Sequence, residues 1–189
     1  MLRRVVLTGA PGSGKTTLLQ ALRQRGHAVV EEAATDVIAV QQDGGIAEPW
    51  RLPGFVDLIV ALQRERQVAP VRAAVDVQVF DRSPLCTLAL ARYLRQPVSS
   101  SLAAEVDRVL TERVYEREVF LVRPLGFVAP TAARRISYED SLEFELVHES
   151  VYREHGFTLV DVPPGPTVER VAAVEDLLGC LVINEGAGT

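Results

Sequence analysis

The chain has 189 residues, 48% of them hydrophobic and 24% charged, with a formal charge of −5. That is the size and composition of one globular domain, and it excludes disordered, collagen-like and fibrous classes. The acidic balance (pI about 5.3) argues against a nucleic-acid partner, and two cysteines are too few for a secreted disulfide scaffold.

No apolar run is long enough to span a bilayer, which takes roughly 18 residues, and the first strand is read from Arg3 with no room for a signal peptide before it. The expectation is a soluble, cytoplasmic protein without membrane or nucleic-acid partners, a monomer or homodimer. Residues 1–183 are read as one domain and 184–189 as a tail. Of the 20 basic residues only one, Lys15, is a lysine.

Residues 3–8 (RRVVLT) read as a short buried strand, followed by a glycine-rich turn and a helix of about ten residues that stops near Gly26. Ala28–Val30 predicts a second strand ending at Glu31 or Glu32, with a helix after it. Residues 41–54 (QQDGGIAEPWRLPG) carry no periodicity, and Phe55, Leu58, Ile59 and Leu62 then recur at helical spacing. Asp76–Phe80 is a third strand that delivers Asp81 and Arg82. Pro84 opens a helix, and another follows from about residue 101 to 114. Glu118–Arg123 is a fourth strand. Residues 124–135 are irregular, and Ser137 is an N-cap for the next helix. Phe157–Asp161 is the fifth strand, and Thr167–Leu178 the closing helix with Gly179 as its stop. Apolar strands alternating with helices predict an α/β fold, a parallel sheet with helices on both faces.

The turn after the first strand, Gly9-Ala10-Pro11-Gly12-Ser13-Gly14-Lys15-Thr16, is a complete G-x-x-x-x-G-K-[ST] phosphate loop. Its glycines let successive N–H groups turn inward around a phosphate, and the helix N-terminus adds partial positive charge. Lys15 is placed to reach the outer phosphates and the Thr16 hydroxyl to hold Mg²⁺; Thr17 lies in the same turn. A nucleoside triphosphate, ATP with Mg²⁺, is the expected ligand. No second lysine exists to build the Asn-Lys-x-Asp box that reads guanine.

Other candidates sit at the carboxyl ends of the strands, where open parallel sheets place their sites. Asp81 either serves the metal or an acceptor hydroxyl, or caps the Pro84 helix. Arg82 touches a phosphate or pairs with a carboxylate. Adjacent residues of an extended chain point opposite ways, so one of Glu31 and Glu32 faces the site, and Glu32 is preferred as the group that accepts an acceptor's proton. Asp36 either shares that duty or caps the helix. Arg134 and Arg135 are either flap arginines for a transferring phosphoryl group or a surface pair beside Glu139 and Asp140. Arg170 either borders the nucleotide base or is a solvated helix arginine. The three histidines read as ordinary, and Cys86 and Cys180 as core residues.

Four stretches, GAPGSGKTTLLQAL, VVEEAATDVI, FDRSPLCTLALARYL and ARRISYEDSLEFELVHESVYREHGFTLVDVPPGPTVERV, together resemble the small bacterial AAA-like ATP-binding proteins. That family is related to the ribosylnicotinamide kinase domain of the NAD-biosynthesis regulator and more remotely to deoxynucleoside and thymidylate kinases. The resemblance implies a P-loop NTPase three-layer sandwich of nucleotide-kinase type, with strand order 2-3-1-4-5. It also implies a lid over residues 124–135 carrying Arg134 and Arg135, and an acceptor pocket faced by Glu31–Asp36 and Asp81-Arg82. Cys86 and Ala132-Ala133 depart from the family pattern, which often has an aspartate at the first place and Asp-Gly at the second.

Two functions remain open: a phosphotransferase acting on a small acceptor, and a regulatory nucleotide-binding module with slow hydrolysis. A kinase should build a closed polar pocket from segment 41–75, and a module an apolar patch.

Overall fold

The computed structural model describes residues 2–71, 75–127 and 136–183. Five strands, β1 (Arg3–Thr8), β2 (Ala28–Val30), β3 (Val77–Asp81), β4 (Glu118–Val122) and β5 (Thr158–Val162), form one all-parallel sheet in the order β2-β3-β1-β4-β5. Seven helices surround it: α1 (Lys15–Gln24), α2 (Ala33–Asp43), α3 (Phe55–Val68), α4 (Pro84–Tyr93), α5 (Ser100–Thr111), α6 (Tyr138–Glu154) and α7 (Thr167–Ile183). The architecture and strand order are those expected of a P-loop NTPase.

The period-2 alternation of β1 divides the core. Val5 and Leu7 point to one face, where they pack with Val79, Phe120, Leu18 and Leu22 of α1 and Val171 and Val174 of α7. Val6 points to the other, joining Phe80, Val119, Leu85, Leu102, Val151 and Tyr152 beneath α4, α5 and α6. Each buried Val or Leu contributes roughly 1.5–3 kcal/mol, and strands covered on both faces need no polar side, which is why they read as continuous apolar runs. A third, smaller cluster, Ala33, Val37, Ile38, Phe55 and Ile59, closes α2 on α3.

Local chemistry ends the elements largely where the sequence predicts. Ser83, Ser99 and Ser137 cap α4, α5 and α6, each hydroxyl accepting an N–H of the first turn. Gly26 closes α1 at φ +93. Three expectations are corrected. Residues 41–54 are not one long loop, because α2 runs on to Asp43 and Pro49–Arg51 form a 3₁₀ turn. Gly179 does not stop α7, which continues to Ile183; Gly179 is not among the glycines with positive φ, so here it acts as an ordinary interior glycine at about 0.5–1 kcal/mol against alanine. Cys180, read as a core residue, is exposed, whereas Cys86 is buried.

Parallel pairing brings the ends of β1, β2 and β3 to one rim, with Leu7 beside Asp81 and Val30 beside Phe80. Among the described residues, no helix is long and apolar enough to cross a membrane, and no His/Cys/Asp/Glu cluster suited to a metal is present.

Candidate functional site

The phosphate loop leaves β1 through a backbone conformation only glycine fits. Gly9 has φ +131, and a Cβ there would sit 2.5 Å from the Val122 carbonyl oxygen. The loop curls over the buried Lys15, whose Nζ donates to the carbonyls of Gly9 (2.9 Å) and Ala10 (2.8 Å) and to Ser13 Oγ (3.2 Å). Burial lowers the Lys15 pKa to about 8, helped by the Arg82 charge and opposed by Asp81 and Glu32. Thr16 and Thr17 are exposed on the cleft side of α1.

Asp81 ends β3 only 6% exposed, and its Oδ1 has no hydrogen-bond partner among the described residues. Burial, with the Glu32 charge behind it, raises its pKa to about 6. Ser83, not Asp81, caps the Pro84 helix. An orphaned, buried carboxylate oxygen beside the loop is a fit for a cation carried in with phosphates, and hydroxyl and carboxylate oxygens are the donors Mg²⁺ takes.

Glu32 and Glu31 part as the extended geometry requires. Glu31 turns to the rim and pairs with Arg23 at 2.7 Å, both half exposed. Glu32 turns inward, accepting from Arg82 Nε and, at 2.9 Å, from Thr35 Oγ1. Burial works to raise its pKa, but the charges of Arg82 and Lys15 outweigh burial and hold it below the ordinary value. Asp36 is tied to Arg66 in an ion pair.

Arg82 joins these groups to the far side of the cleft. It is a non-glycine residue at φ +74, a left-handed conformation that costs on the order of 1–3 kcal/mol and persists only where its surroundings hold it. Three contacts do so: its N–H donates to the Leu7 carbonyl at 3.0 Å, Nε to Glu32, and Nη1 to His148 Nε2 at 2.9 Å. Since a guanidinium only donates, Nε2 must accept, so the His148 proton sits on Nδ1, which meets the Phe144 carbonyl at 2.9 Å. Complete burial, then the Arg82 charge, drives the His148 pKa well below its ordinary value. Of the two readings of Arg82, pairing with a carboxylate is the one this geometry contains.

Below this layer Ser83 Oγ and Cys86 Sγ both meet the Tyr152 hydroxyl, at 2.7 and 3.1 Å, and Cys86 Sγ meets Thr8 Oγ1 at 3.3 Å. Behind the loop Arg123 binds Glu145, Glu149 and Asp161, and Glu145 accepts from the Ala10 N–H at 3.4 Å. Arg170 is buried and donates to the Ser13 carbonyl (2.8 Å) and the Arg123 carbonyl (3.2 Å).

Lys15, Thr16, Thr17, Glu31, Glu32, Asp36, Asp81, Arg82 and Cys86 line one cleft of about 950 Å³. At one end lie Pro11, Gly12, residues 14–17 and Asp81; at the other, Trp50, Phe55, Ile59, Tyr93, Phe144 and Phe127. Segment 41–75, as far as it is described, gives the cleft a mixed wall, with Glu48, Arg51 and Gln63 beside Trp50, Phe55 and Ile59. Gln63 Oε1 accepts from Thr87 at 2.9 Å, and among the described residues its amide NH₂ has no partner. Tyr93 and Phe144 stack with centroids 4.6 Å apart. Arg134, Arg135 and most of the expected lid lie outside the described residues; Leu125 and Phe127, at its start, do line the cleft.

Sequence reasoning missed His148, Gln63 and Glu145. A weak signal existed for the first: His148 and Tyr152 are four residues apart on α6 and so share the face turned to Arg82 and Ser83.

No curated protein sequence matches the chain. Solved structures do, 243 chains in all. One is the NadR protein, crystallised with NAD and AMP-PNP, at a TM-score of 0.67 and 17% identity over 94% of this chain and 49% of that one. The chain therefore spans about half of that protein's length, and at such identity the likeness shows the fold, a P-loop NTPase. The AAA domain family matches residues 4–170, and the chain belongs to that family.

Proposed function

We propose that the protein is an ATP-dependent phosphotransferase that moves the γ-phosphoryl group of ATP to a hydroxyl of a small, ring-bearing acceptor. The observation that carries this reading is the continuity of one cleft, from the phosphate loop past Glu32 and Asp81 to an aromatic-walled pocket. A module that only binds nucleotide has no use for the second half. The complex of a protein of the same fold with AMP-PNP supports the nucleotide.

In this reading the N–H groups of residues 9–16 and Lys15 hold the phosphates, Lys15 exchanging its carbonyl partners for phosphate oxygens. Thr16 and Asp81 would hold Mg²⁺, which neutralises phosphate charge as the terminal bond loosens. Glu32 accepts the proton of the acceptor hydroxyl; the acceptor oxygen bonds the γ-phosphorus, the bond to the β-phosphate oxygen breaks, and ADP leaves. Arg82, fixed between Glu32 and His148, keeps Glu32 ionised and aimed. Arg134 and Arg135 close over the transferring group.

The test has two stages. Calorimetry should show Mg-ATP binding to the wild type, and at least as tightly as GTP. Label transfer from γ-labelled ATP to a panel of nucleosides, vitamins and sugars should then find an acceptor. Tight ATP binding with hydrolysis but no transfer to any of them would favour the regulatory module.

A further inference from the structure

The geometry points to Arg170 as a positioning residue that aims the phosphate loop from behind without touching the nucleotide. This rests on the reading that residues 9–16 hold a nucleotide's phosphates. Arg170 stands in the first turn of α7, the helix that packs on α1 through Val171, Val174, Leu18 and Leu22. It is 5% exposed. Its two terminal nitrogens straddle the loop and the exit of β4, reaching the Ser13 and Arg123 carbonyls. Neither bond ends on a carboxylate.

The peptide joining Ser13 to Gly14 is trans, and a trans peptide points its C=O and its N–H in opposite directions. A guanidinium that holds the Ser13 oxygen on the outer side therefore turns the Gly14 N–H to the inner side, where a phosphate oxygen would bind. The same contact explains Gly14 a second time. Beyond its φ of +86, a Cβ there would lie 2.9 Å from Arg170 Nη1 and 3.4 Å from Leu125 Cδ1. The guanidinium fills the space that a side chain would need.

The charge acts in the same direction. Arg123 nearby is matched by three carboxylates, but among the described residues Arg170 has carbonyl partners alone, so its positive charge stands uncompensated by them behind the anion site. The predicted ligand class is a polyphosphate irrespective of base. This separates the proposal from a contact between Arg170 and adenine, which would serve ATP alone.

The experiment measures Mg-ATP, Mg-GTP and Mg-tripolyphosphate binding to wild type, Arg170→Met and Arg170→Lys, with circular dichroism melts to check folding. We expect Arg170→Met to weaken all three by the same factor, about tenfold or more, as when a well-aimed donor no longer meets a charged oxygen. Arg170→Lys keeps the charge but has one head for two carbonyls, and should restore only part of the loss. Loss of ATP affinity with tripolyphosphate unchanged would overturn the proposal in favour of a base contact. Undiminished binding of all three, or complete rescue by lysine, would overturn it too. If wild type binds none of the three, the nucleotide reading fails, and hydrogen exchange of the ligand-free protein still decides the loop contact. Faster exchange over residues 10–18 in Arg170→Lys supports it, and unchanged exchange overturns it.

Discussion

The two ends of the cleft are built by different means. The phosphate end is backbone: the loop of residues 9–16, whose Gly9, Ala10 and Ser13 carbonyls and Ala10 N–H are held by Lys15, Arg170 and Glu145. The acceptor end is side chains from α2, α3, α4, α6 and the Pro49–Arg51 turn, meeting across tens of residues of sequence. A backbone cradle recognises what every nucleoside triphosphate shares. A side-chain pocket recognises what only one acceptor has. Changes at the two ends should therefore separate into effects on nucleotide affinity and effects on turnover.

The largest expected effect breaks the acceptor end alone. Glu32→Gln keeps the size and an oxygen that accepts from Arg82 but removes the base, and turnover with a found acceptor should fall by roughly 10²–10⁴-fold while ATP affinity holds. Glu31→Gln is the internal control, because Glu31 is spent on Arg23 at the rim; its turnover should match wild type. Equal losses in both variants would mean that the inward turn of Glu32 has no catalytic meaning.

Lys15→Ala breaks the other end. Losing one charge-assisted bond of roughly 1.5–3 kcal/mol should weaken Mg-ATP about 10- to 100-fold by calorimetry. The fold should survive, since among the described residues Lys15 is bonded only to its own loop.

How far each end could be read from sequence follows from the same difference. The loop, Glu32 and Asp81 were legible because a contiguous motif fixes a backbone and strand ends fix direction. The strand order was legible from the resemblance. His148, Gln63 and the Tyr93–Phe144 stack were not. Whether an α6 side chain meets β3 or faces solvent depends on how two helices are rotated against the sheet, and no local pattern in EFELVHESVY states that. The sequence left Arg170 between a base neighbour and a solvated helix arginine; it is buried, and its carbonyl partners lie 157 and 47 positions away. Gly179 misled because a glycine after an apolar helix is a stop only when the chain beyond it turns away.

Asp81→Asn tests whether the phosphate end stores instability for its ligand. The folded pKa is raised from 3.8 to about 6, so the folded state binds the proton more tightly than the unfolded chain. Stability contributed by that proton is present below pH 4 and is lost as pH rises through 6. At pH 7.5 the ligand-free variant should be more stable by about 1–3 kcal/mol in thermal melts, and near pH 4 the two should converge. A variant less stable than wild type at pH 7.5 would show that the Asp81 charge supports the ligand-free fold.

The smallest effect lies at the joint between the two ends. His148 touches Arg82 on one side and Phe144, a wall of the acceptor pocket, on the other. Its folded pKa lies well below 6.5, so above that pH both folded and unfolded chains carry it neutral and it imposes no penalty. Below 6.5 the unfolded chain takes up a proton that the folded chain refuses. Stability then falls with pH by up to about 1.4 kcal/mol per unit. The charged groups facing the ring are Arg82 and Lys15, both cations that oppose protonation, with Glu32 beyond Arg82. His148→Gln keeps an oxygen able to accept from Arg82 but cannot titrate. Urea unfolding at pH 5, 6, 7 and 8 should show a shallower acid limb in the variant, with the two slopes equal above pH 7. His27 and His155 remain in both proteins, so the difference isolates one residue. Identical acid limbs would mean that burial and the Arg82 charge do not hold His148 neutral, and that the joint between the two ends is open in solution.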